Sequence, residues 1–278
     1  MRTLTSTWKP ARLALAVALS AALASPVLTT ADDELPDEAI DISDFPGTFV
    51  DEVVVPVASE VFAVLDKLGN PNWKGQLRGV TETNHKDRTV LSLHFGSVVA
   101  EGFIAVQAED KDATEEIGRE VLKLAEALGI RDAVLKHYQS ILDAADKEDW
   151  NAIRRELDRT QRTVRETMKK MRDNELAQLV SIGGWLRGTE VVTSIIGAGY
   201  SEDRAELLNQ PDLVKHFREA VGKMDPKVRD HKLVKRVASG LEVIEKQMVK
   251  GGEAMPAPGV KEIQGVCATL IKELNTTN

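Results

Sequence analysis

Apolar residues recur at intervals of three and four along almost the entire chain after residue 50. This spacing places them on one face of a helix, and no pair of segments shows the alternation typical of paired strands. Short connections between the periodic segments favour antiparallel neighbours. The pattern therefore predicts an all-α fold, an antiparallel bundle of about eight helices. The periodic segments cover residues 56–69, 88–108, 112–129, 131–145, 147–172, 174–198, 212–224, 226–250 and those from 260 onward.

Two of these predicted helices, 88–108 and 174–198, are apolar on nearly every face. In a soluble protein, a helix of this kind is surrounded by other helices. We therefore expect these two helices to lie at the centre of the bundle. Any ionisable side chain that they carry is costly to bury unless it is paired.

The beginning of the chain has the pattern of a Sec-type secretory signal. Arg2, Lys9 and Arg12 precede an apolar run, residues 13–24, which ends in the small-x-small pattern Ala-Leu-Ala. Twelve residues are too few for a membrane span, which needs about twenty. We therefore predict a signal peptide over residues 1–24 and an exported, soluble chain in the periplasm or outside the cell, not a membrane-spanning one.

Charge divides the remaining chain into a leader and a domain. The net charge is −8, and residues 32–66 contain eleven acids and no base, whereas acids and bases are equal in number beyond residue 66. Because residues 25–49 also contain few bulky apolar side chains, we predict a disordered acidic leader there. A single all-helical domain is expected over residues 50–278.

A cluster of bases lies in the predicted helix 147–172, where residues 154–172 hold eight bases and three acids. Such a face is used for nucleic acids, but an exported chain with a net negative charge makes a solvated face the simpler interpretation. We expect no nucleic-acid partner. A sharper hypothesis is that residues 32–44 of the acidic leader fold back onto this basic face.

Four ionisable residues stand out on the two central helices. His94 and Glu101 are seven residues apart on one helix, and Arg187 and Glu190 are three apart on the other. Charge balance predicts that Glu101 pairs with Arg187, with His94 hydrogen-bonded nearby. This buried cluster is either the floor of a ligand pocket or acid/base site, or a satisfied polar network that fixes the register of the helices. The second interpretation is favoured.

Small residues form a stripe on each central helix. Ser181, Gly184 and Gly188 share one face of the second helix, and Ser92, Gly96 and Ala100 share one face of the first. Glycine inside a helix costs roughly 1 kcal/mol relative to alanine, so a close approach of two backbones explains these positions well. The sequence predicts a helix-crossing point here, although the adjacent glycines at 183 and 184 could instead break the helix.

Other catalytic or cofactor signals are weak. The single cysteine, Cys267, belongs to an apolar helical stripe and is expected to be buried and inert. No nucleophile, phosphate-loop or dinucleotide motif appears, and the only Glu-x-x-His match, at residues 82–85, falls in a predicted loop. We expect no catalytic residue, no metal and no cofactor.

The sequence therefore predicts an exported helical binding or interaction protein whose partner is an unknown protein or small molecule. Two alternatives stay open. One is an envelope enzyme or small-ligand binder that uses the cluster of His94, Glu101, Arg187 and Glu190. The other is a structural component of the envelope.

Overall fold

Helices account for most of the chain that the structure describes, which comprises residues 48–50, 53–55, 57–80, 85–252 and 254–276. This computed structural model confirms the all-α class. Nine helices in this part of the chain have ten residues or more, and two further helices, α7 and α9, have four. They are α1 (Ala58–Lys67), α2 (Arg88–Gln107), α3 (Lys111–Leu128), α4 (Arg131–Ala145), α5 (Trp150–Lys170), α6 (Asn174–Ala198), α7 (Glu202–Ala205), α8 (Pro211–Lys223), α9 (Pro226–Arg229), α10 (Lys232–Gly251) and α11 (Ala257–Thr276).

Local hydrogen bonds explain where several helices begin and end. The Asp87 carboxylate opens α2 by accepting from the backbone N–H groups of Thr89 and Val90, at 2.7 and 3.2 Å. Asp149 caps α5 in the same way through the Ala152 N–H at 2.9 Å. Gly129 ends α3 in the left-handed conformation, with φ of 80°, which glycine adopts without a steric penalty.

The two helices predicted to be central are central. α2 and α6 pack against each other more extensively than any other pair of the described elements. On one side α3, α4, α5 and α1 follow in succession, and on the other α11, α10 and α8 do the same. By length and composition alone α2 could cross a membrane, but 78% of its most apolar 18-residue window is buried inside the protein.

The structure departs from the predicted pattern at three places. A short antiparallel hairpin pairs Thr48–Val50 with Val53–Val55, although no strand pair was expected. Asp110 caps α3 through the Ala113 N–H, two residues before the predicted start of that helix. The predicted helix 226–250 is divided into α9 and α10, because the His231 ring accepts a hydrogen bond from the Leu233 N–H and opens a new helix.

The predicted signal peptide, residues 1–24, lies outside the described residues. So does the acidic leader, residues 25–49, apart from its last two positions, which belong to the first strand of the hairpin. The hypothesis that the leader covers the basic face of α5 falls on the same undescribed residues. The described residues from the hairpin onward belong to one compact unit.

Candidate functional site

The buried charges of the two central helices meet in one cluster. The Arg187 guanidinium of α6 donates from Nε to Glu101 Oε2 of α2 at 2.7 Å and from Nη1 to Glu190 Oε2 at 3.1 Å. All three residues are buried, with 3 to 6% of their surface exposed. The structure thus places Glu101 and Arg187 against each other across the contact between α2 and α6, as charge balance predicts.

A loop segment completes this cluster. Arg78 donates its backbone N–H to Glu101 Oε1 at 2.5 Å, and its guanidinium donates to Glu190 Oε1. The remaining Arg187 nitrogen, Nη2, donates to the carbonyl oxygen of Gln76 at 2.5 Å. All four carboxylate oxygens of the two glutamates are therefore engaged. We call these four charged residues, Arg78, Glu101, Arg187 and Glu190, the charged cluster.

Arg78 was not found by sequence reasoning. It lies in an irregular segment after a single 3₁₀ turn, Lys74–Gln76, where periodicity gives no orientation. Its side chain is 37% exposed, and the pKa of its guanidinium is lowered by burial first and then by the nearby Arg187, with Glu101 opposing. Charge balance could have indicated a second cation beside Glu101 and Glu190, because two buried carboxylates need more than one positive charge.

His94 is not part of the charged cluster. Its ring lies 5.3 Å from the ring of His85, edge to face. Burial and, after it, the charge of His85 lower the pKa of His94 to about 4, while the side chain of Asn275 opposes this shift. Burial lowers the pKa of His85 as well. Both histidines are therefore neutral at pH 7. Among the described residues, no group of three or more His, Cys, Asp or Glu side chains could hold a metal ion.

The stripes of small residues meet where α2 crosses α6. A Cβ built on Gly96 would overlap the carbonyl oxygen of Val180 and lie 2.8 Å from the backbone nitrogen of Gly184. A Cβ on Gly184 would lie 3.3 Å from the Gly96 carbonyl oxygen. Gly183, which the predicted stripe did not include, makes the closest approach of the α6 glycines, because a Cβ there would overlap the Leu93 carbonyl oxygen of α2. The helix continues through both glycines without a break.

The other predicted small residues do not all make this contact. Ser92 is fully buried and donates from Oγ to the Arg88 carbonyl oxygen of its own helix at 2.8 Å. Ala100, Ser181 and Gly188 line a cavity beside the crossing point. At Gly188 a Cβ would meet nothing within 4 Å. The stripe therefore forms the crossing point at one end and the wall of a cavity at the other.

This cavity has a volume of about 360 Å³ and is partly open to solvent. Its walls come chiefly from α1, α2, α5 and α6, and its lining is predominantly apolar. Much of the lining is aromatic, aliphatic or thioether surface, contributed among others by Val64, Phe103, Val164, Met168, Val192 and Phe217. A concave apolar site of this size lies within the range typical of small-molecule pockets.

A few polar side chains interrupt the apolar lining. Trp185 donates from Nε1 to Gln210 Oε1 at 3.1 Å, and its ring meets Phe217 edge to face with 5.9 Å between centroids. Arg165 and Gln178 also line the cavity. The Gln178 Oε1 atom is buried and accepts no hydrogen bond within the described part of the chain. Burial, followed by the charge of Arg162, lowers the pKa of the Arg165 guanidinium.

The cavity and the charged cluster are separate sites. Among the described residues that line the cavity, none is His94, Glu101, Arg187 or Glu190.

Comparisons with protein families, with curated proteins and with solved structures found no match to this chain. Sequence reasoning identified one wall of the cavity through its small residues, but it interpreted that wall entirely as a contact between helices.

Proposed function

We propose that this protein is an exported helical binding protein that takes a small apolar molecule into the cavity between α2, α5 and α6. The observation that carries the proposal is the 360 Å³ apolar cavity beside the helix crossing. Protein interiors are normally packed with few voids larger than a water molecule. A cavity of this size, partly open to solvent, therefore has room for a ligand.

The energetic cost of the cavity supports the same proposal. At about 24 cal/mol per Å³, leaving 360 Å³ unfilled would cost up to roughly 9 kcal/mol, which is comparable with the stability of a whole domain. The cost is smaller than this, because the cavity is partly open and therefore accessible to water. A bound apolar molecule would recover part of this free energy.

Gly188 gives an independent argument. It lies inside α6, where glycine is less favourable than alanine by roughly 1 kcal/mol, and no backbone contact requires it, since a Cβ there would meet nothing within 4 Å. A larger side chain at Gly188 would project into the cavity. We therefore propose that glycine is present at this position because it keeps the cavity open.

The charged cluster has a structural role in this proposal. Each carboxylate oxygen of Glu101 and Glu190 already accepts a hydrogen bond from Arg78 or Arg187. A catalytic acid or base must reach its substrate, whereas both glutamates are buried and neither lines the cavity. The role of the cluster is to hold the loop around Arg78 against the two central helices.

A neutral fluorescent probe, N-phenyl-1-naphthylamine, tests ligand binding directly. The chain from residue 25 onward should bind it at one saturable site, with a large rise in fluorescence. The Gly188→Phe variant should lose most of this binding. Benzene occupies an engineered cavity of about 150 Å³, so the added phenyl ring would take up a large part of the 360 Å³ available here.

The matched control is Gly265→Phe, since Gly265 is also a helical glycine with open space around it, but it does not line the cavity. Equal binding by the Gly188→Phe and Gly265→Phe variants would overturn the proposal. Loss of binding in Gly188→Phe alone supports it.

Export is the second part of the proposal, and it rests on the charged start, apolar run and Ala-Leu-Ala end of residues 1–24. Expression of the full chain in a bacterium with two membranes, followed by fractionation, tests it. The mature protein should be found in the periplasm or the medium, with its first residue at position 25. An intact N-terminus on a cytoplasmic protein would contradict export.

A further inference from the structure

We propose that the ligand is an uncharged single-chain molecule, such as a long-chain alcohol or ester, that lies lengthwise between α5 and α6. Gly188 sets the length of chain that the cavity accepts. This inference rests on the proposed binding function and names the chemical class of its ligand. It follows from the direction of the cavity, from the agreement between its length and its volume, and from the pairing of the charges in its lining.

The helices that form the walls of the cavity run alongside one another. At one end, Arg88 at the start of α2 donates to Asp173, which lies between α5 and α6, at 2.7 Å. At the other end, Gln107 at the end of α2 accepts from Arg154, in the first turns of α5, at 2.8 Å. α2 therefore extends from the junction of α5 and α6 to the first turns of α5, and it runs antiparallel to α5.

The cavity follows the same direction. On α5 its lining extends from Met168, close to the junction with α6, to Leu157, which at 1.5 Å per residue is about 16 Å along the helix. On α6 the lining extends from Ala177, close to the same junction, to Val192, or about 22 Å by the same measure. The cavity is therefore an elongated space that begins near the junction of the two helices.

The length and the volume of the cavity allow the same number of atoms. An extended polypeptide advances about 3.5 Å for every three backbone bonds, or roughly 1.2 Å per bond, so a length of about 16 Å accommodates an extended chain of about fourteen atoms. An engineered cavity of about 150 Å³ accommodates benzene, which has six carbon atoms. The volume of 360 Å³ therefore has room for roughly fourteen non-hydrogen atoms. A molecule whose atoms all lie one after another along the cavity is a single unbranched chain.

The charged groups in the lining already have partners. Among the described residues that line the cavity, Glu60 is the one acid and Arg165 is the one base. Glu60 accepts a hydrogen bond from the Val57 N–H at 3.1 Å, and Arg165 has a partner within the protein. A charged ligand would lose its hydration without gaining a free opposite charge, which is strongly unfavourable. The lining therefore favours an uncharged chain.

Gly188 lies near the end of the lining that is far from the junction. Four residues of α6 separate it from Val192, the last lining residue of that helix, and this corresponds to about 6 Å. At roughly 1.2 Å per bond, this distance is the length of about five chain atoms. A larger side chain at residue 188 would therefore shorten the accepted chain by about five atoms and leave the space toward the junction open.

Calorimetric titration with a matched series of molecules tests the ligand class. The series is dodecanol, dodecanoate and dodecyltrimethylammonium, each below its aggregation concentration, with adamantanemethanol as a compact alcohol of similar size. Dodecanol should bind at least about tenfold more tightly than either ion, because the ions lose their hydration. It should also bind at least about tenfold more tightly than adamantanemethanol, because a compact cage contacts less of an elongated wall.

The length limit is tested with octanol, decanol and dodecanol. In the parent protein, each added methylene group should raise the affinity roughly fourfold. In Gly188→Leu, octanol should bind as in the parent, whereas dodecanol should bind no more tightly than octanol. Gly265→Leu is the matched control, since Gly265 is an exposed helical glycine outside the cavity lining, and it should bind the three alcohols as the parent does.

The failure of this inference can be distinguished from the failure of the proposed function. If dodecanoate binds as tightly as dodecanol, the uncharged ligand is wrong. If adamantanemethanol binds as tightly as dodecanol, or if Gly188→Leu weakens octanol and dodecanol by the same factor, the single chain and its length limit are wrong. In each of these cases the cavity still binds an apolar molecule. If neither the probe nor the alcohols show a site that Gly188→Phe blocks, the proposed function itself fails.

Discussion

The backbone of Gly183 on α6 lies directly against the carbonyl group of Leu93 on α2, so closely that a Cβ at residue 183 would overlap the Leu93 carbonyl oxygen. Neither of these two positions can move without displacing the other helix. Since α2 and α6 form the most extensive contact among the described elements, this approach fixes how the centre of the bundle is assembled. The cavity wall at Gly188 depends on the same crossing.

Gly183→Ala should therefore destabilise the protein by about 3 kcal/mol or more, because the methyl group meets backbone and not a flexible side chain. Gly188→Ala should instead stabilise the protein by up to about 1 kcal/mol, because alanine has a higher helix propensity than glycine. Urea unfolding of both variants measures the free energies. A tolerated alanine at residue 183 would show that the central helices do not approach as described.

The charged cluster predicts an order of destabilisation. Arg187→Gln should cost about 3–5 kcal/mol, because it leaves two buried carboxylates without their main partner. Arg78→Gln should cost less, about 1 kcal/mol, since the Arg78 side chain is 37% exposed and its backbone N–H still donates to Glu101. The free energies of unfolding in urea provide the comparison.

Glu101→Gln should also destabilise strongly, while binding of N-phenyl-1-naphthylamine to the remaining folded protein should be unchanged. Arg155→Gln is the control and should change the stability little. If the Glu101 variant were as stable as the parent but had lost ligand binding, the cluster would be part of the binding site.

Two residues show how far the sequence could predict this site. Glu101 and Arg187 were paired correctly because two buried opposite charges on apolar helices have few other ways to be satisfied. His94 was placed wrongly beside them. It shares a face with Glu101, but seven residues separate them by about 10 Å along the helix, which is beyond hydrogen-bonding distance.

The parts that sequence reasoning missed depend on contacts between elements. The contact with α2 uses two adjacent rows of residues along α6. The three-and-four spacing identifies only the row with Ser181, Gly184 and Gly188, so Gly183 in the neighbouring row was missed. The loop around Arg78 and the break at His231 have no periodicity to orient their side chains. The cavity was missed for a different reason. Periodicity shows which faces of a helix are buried, but it does not show whether neighbouring helices fill all the space between them.

His94 predicts a pH dependence of stability. Its folded pKa of about 4 lies below the ordinary value of 6.5, so the unfolded chain binds a proton more readily between these pH values. The stability from keeping His94 neutral is fully present above pH 6.5, and it is lost as the pH falls toward 4, up to about 3 kcal/mol.

Comparison with His94→Gln, by urea unfolding at several pH values, isolates this contribution from that of the carboxylates. The variant should lose less stability than the parent between pH 6.5 and 4. Parallel curves for the two proteins would show that His94 does not titrate differently in the folded state.

Cys267 should be inert in the native protein. It is fully buried, and burial raises the pKa of its thiol to about 12, so the reactive thiolate is scarcely populated at neutral pH. A disulfide reagent such as dithionitrobenzoate should release no colour from the folded protein and one equivalent from protein unfolded in guanidinium. Rapid reaction without denaturant would place the terminal helix away from the core.

The central claim is that the cavity beside the helix crossing binds a small apolar molecule, and Trp185 in the lining of that cavity reports on it most directly. The measurement is tryptophan emission during titration with N-phenyl-1-naphthylamine, for the parent protein, Trp185→Phe and Gly188→Phe. A saturable loss of emission in the parent that is much smaller in both variants is the predicted result. A change of equal size in Gly188→Phe, or no change in a parent protein that binds the probe, would contradict the claim.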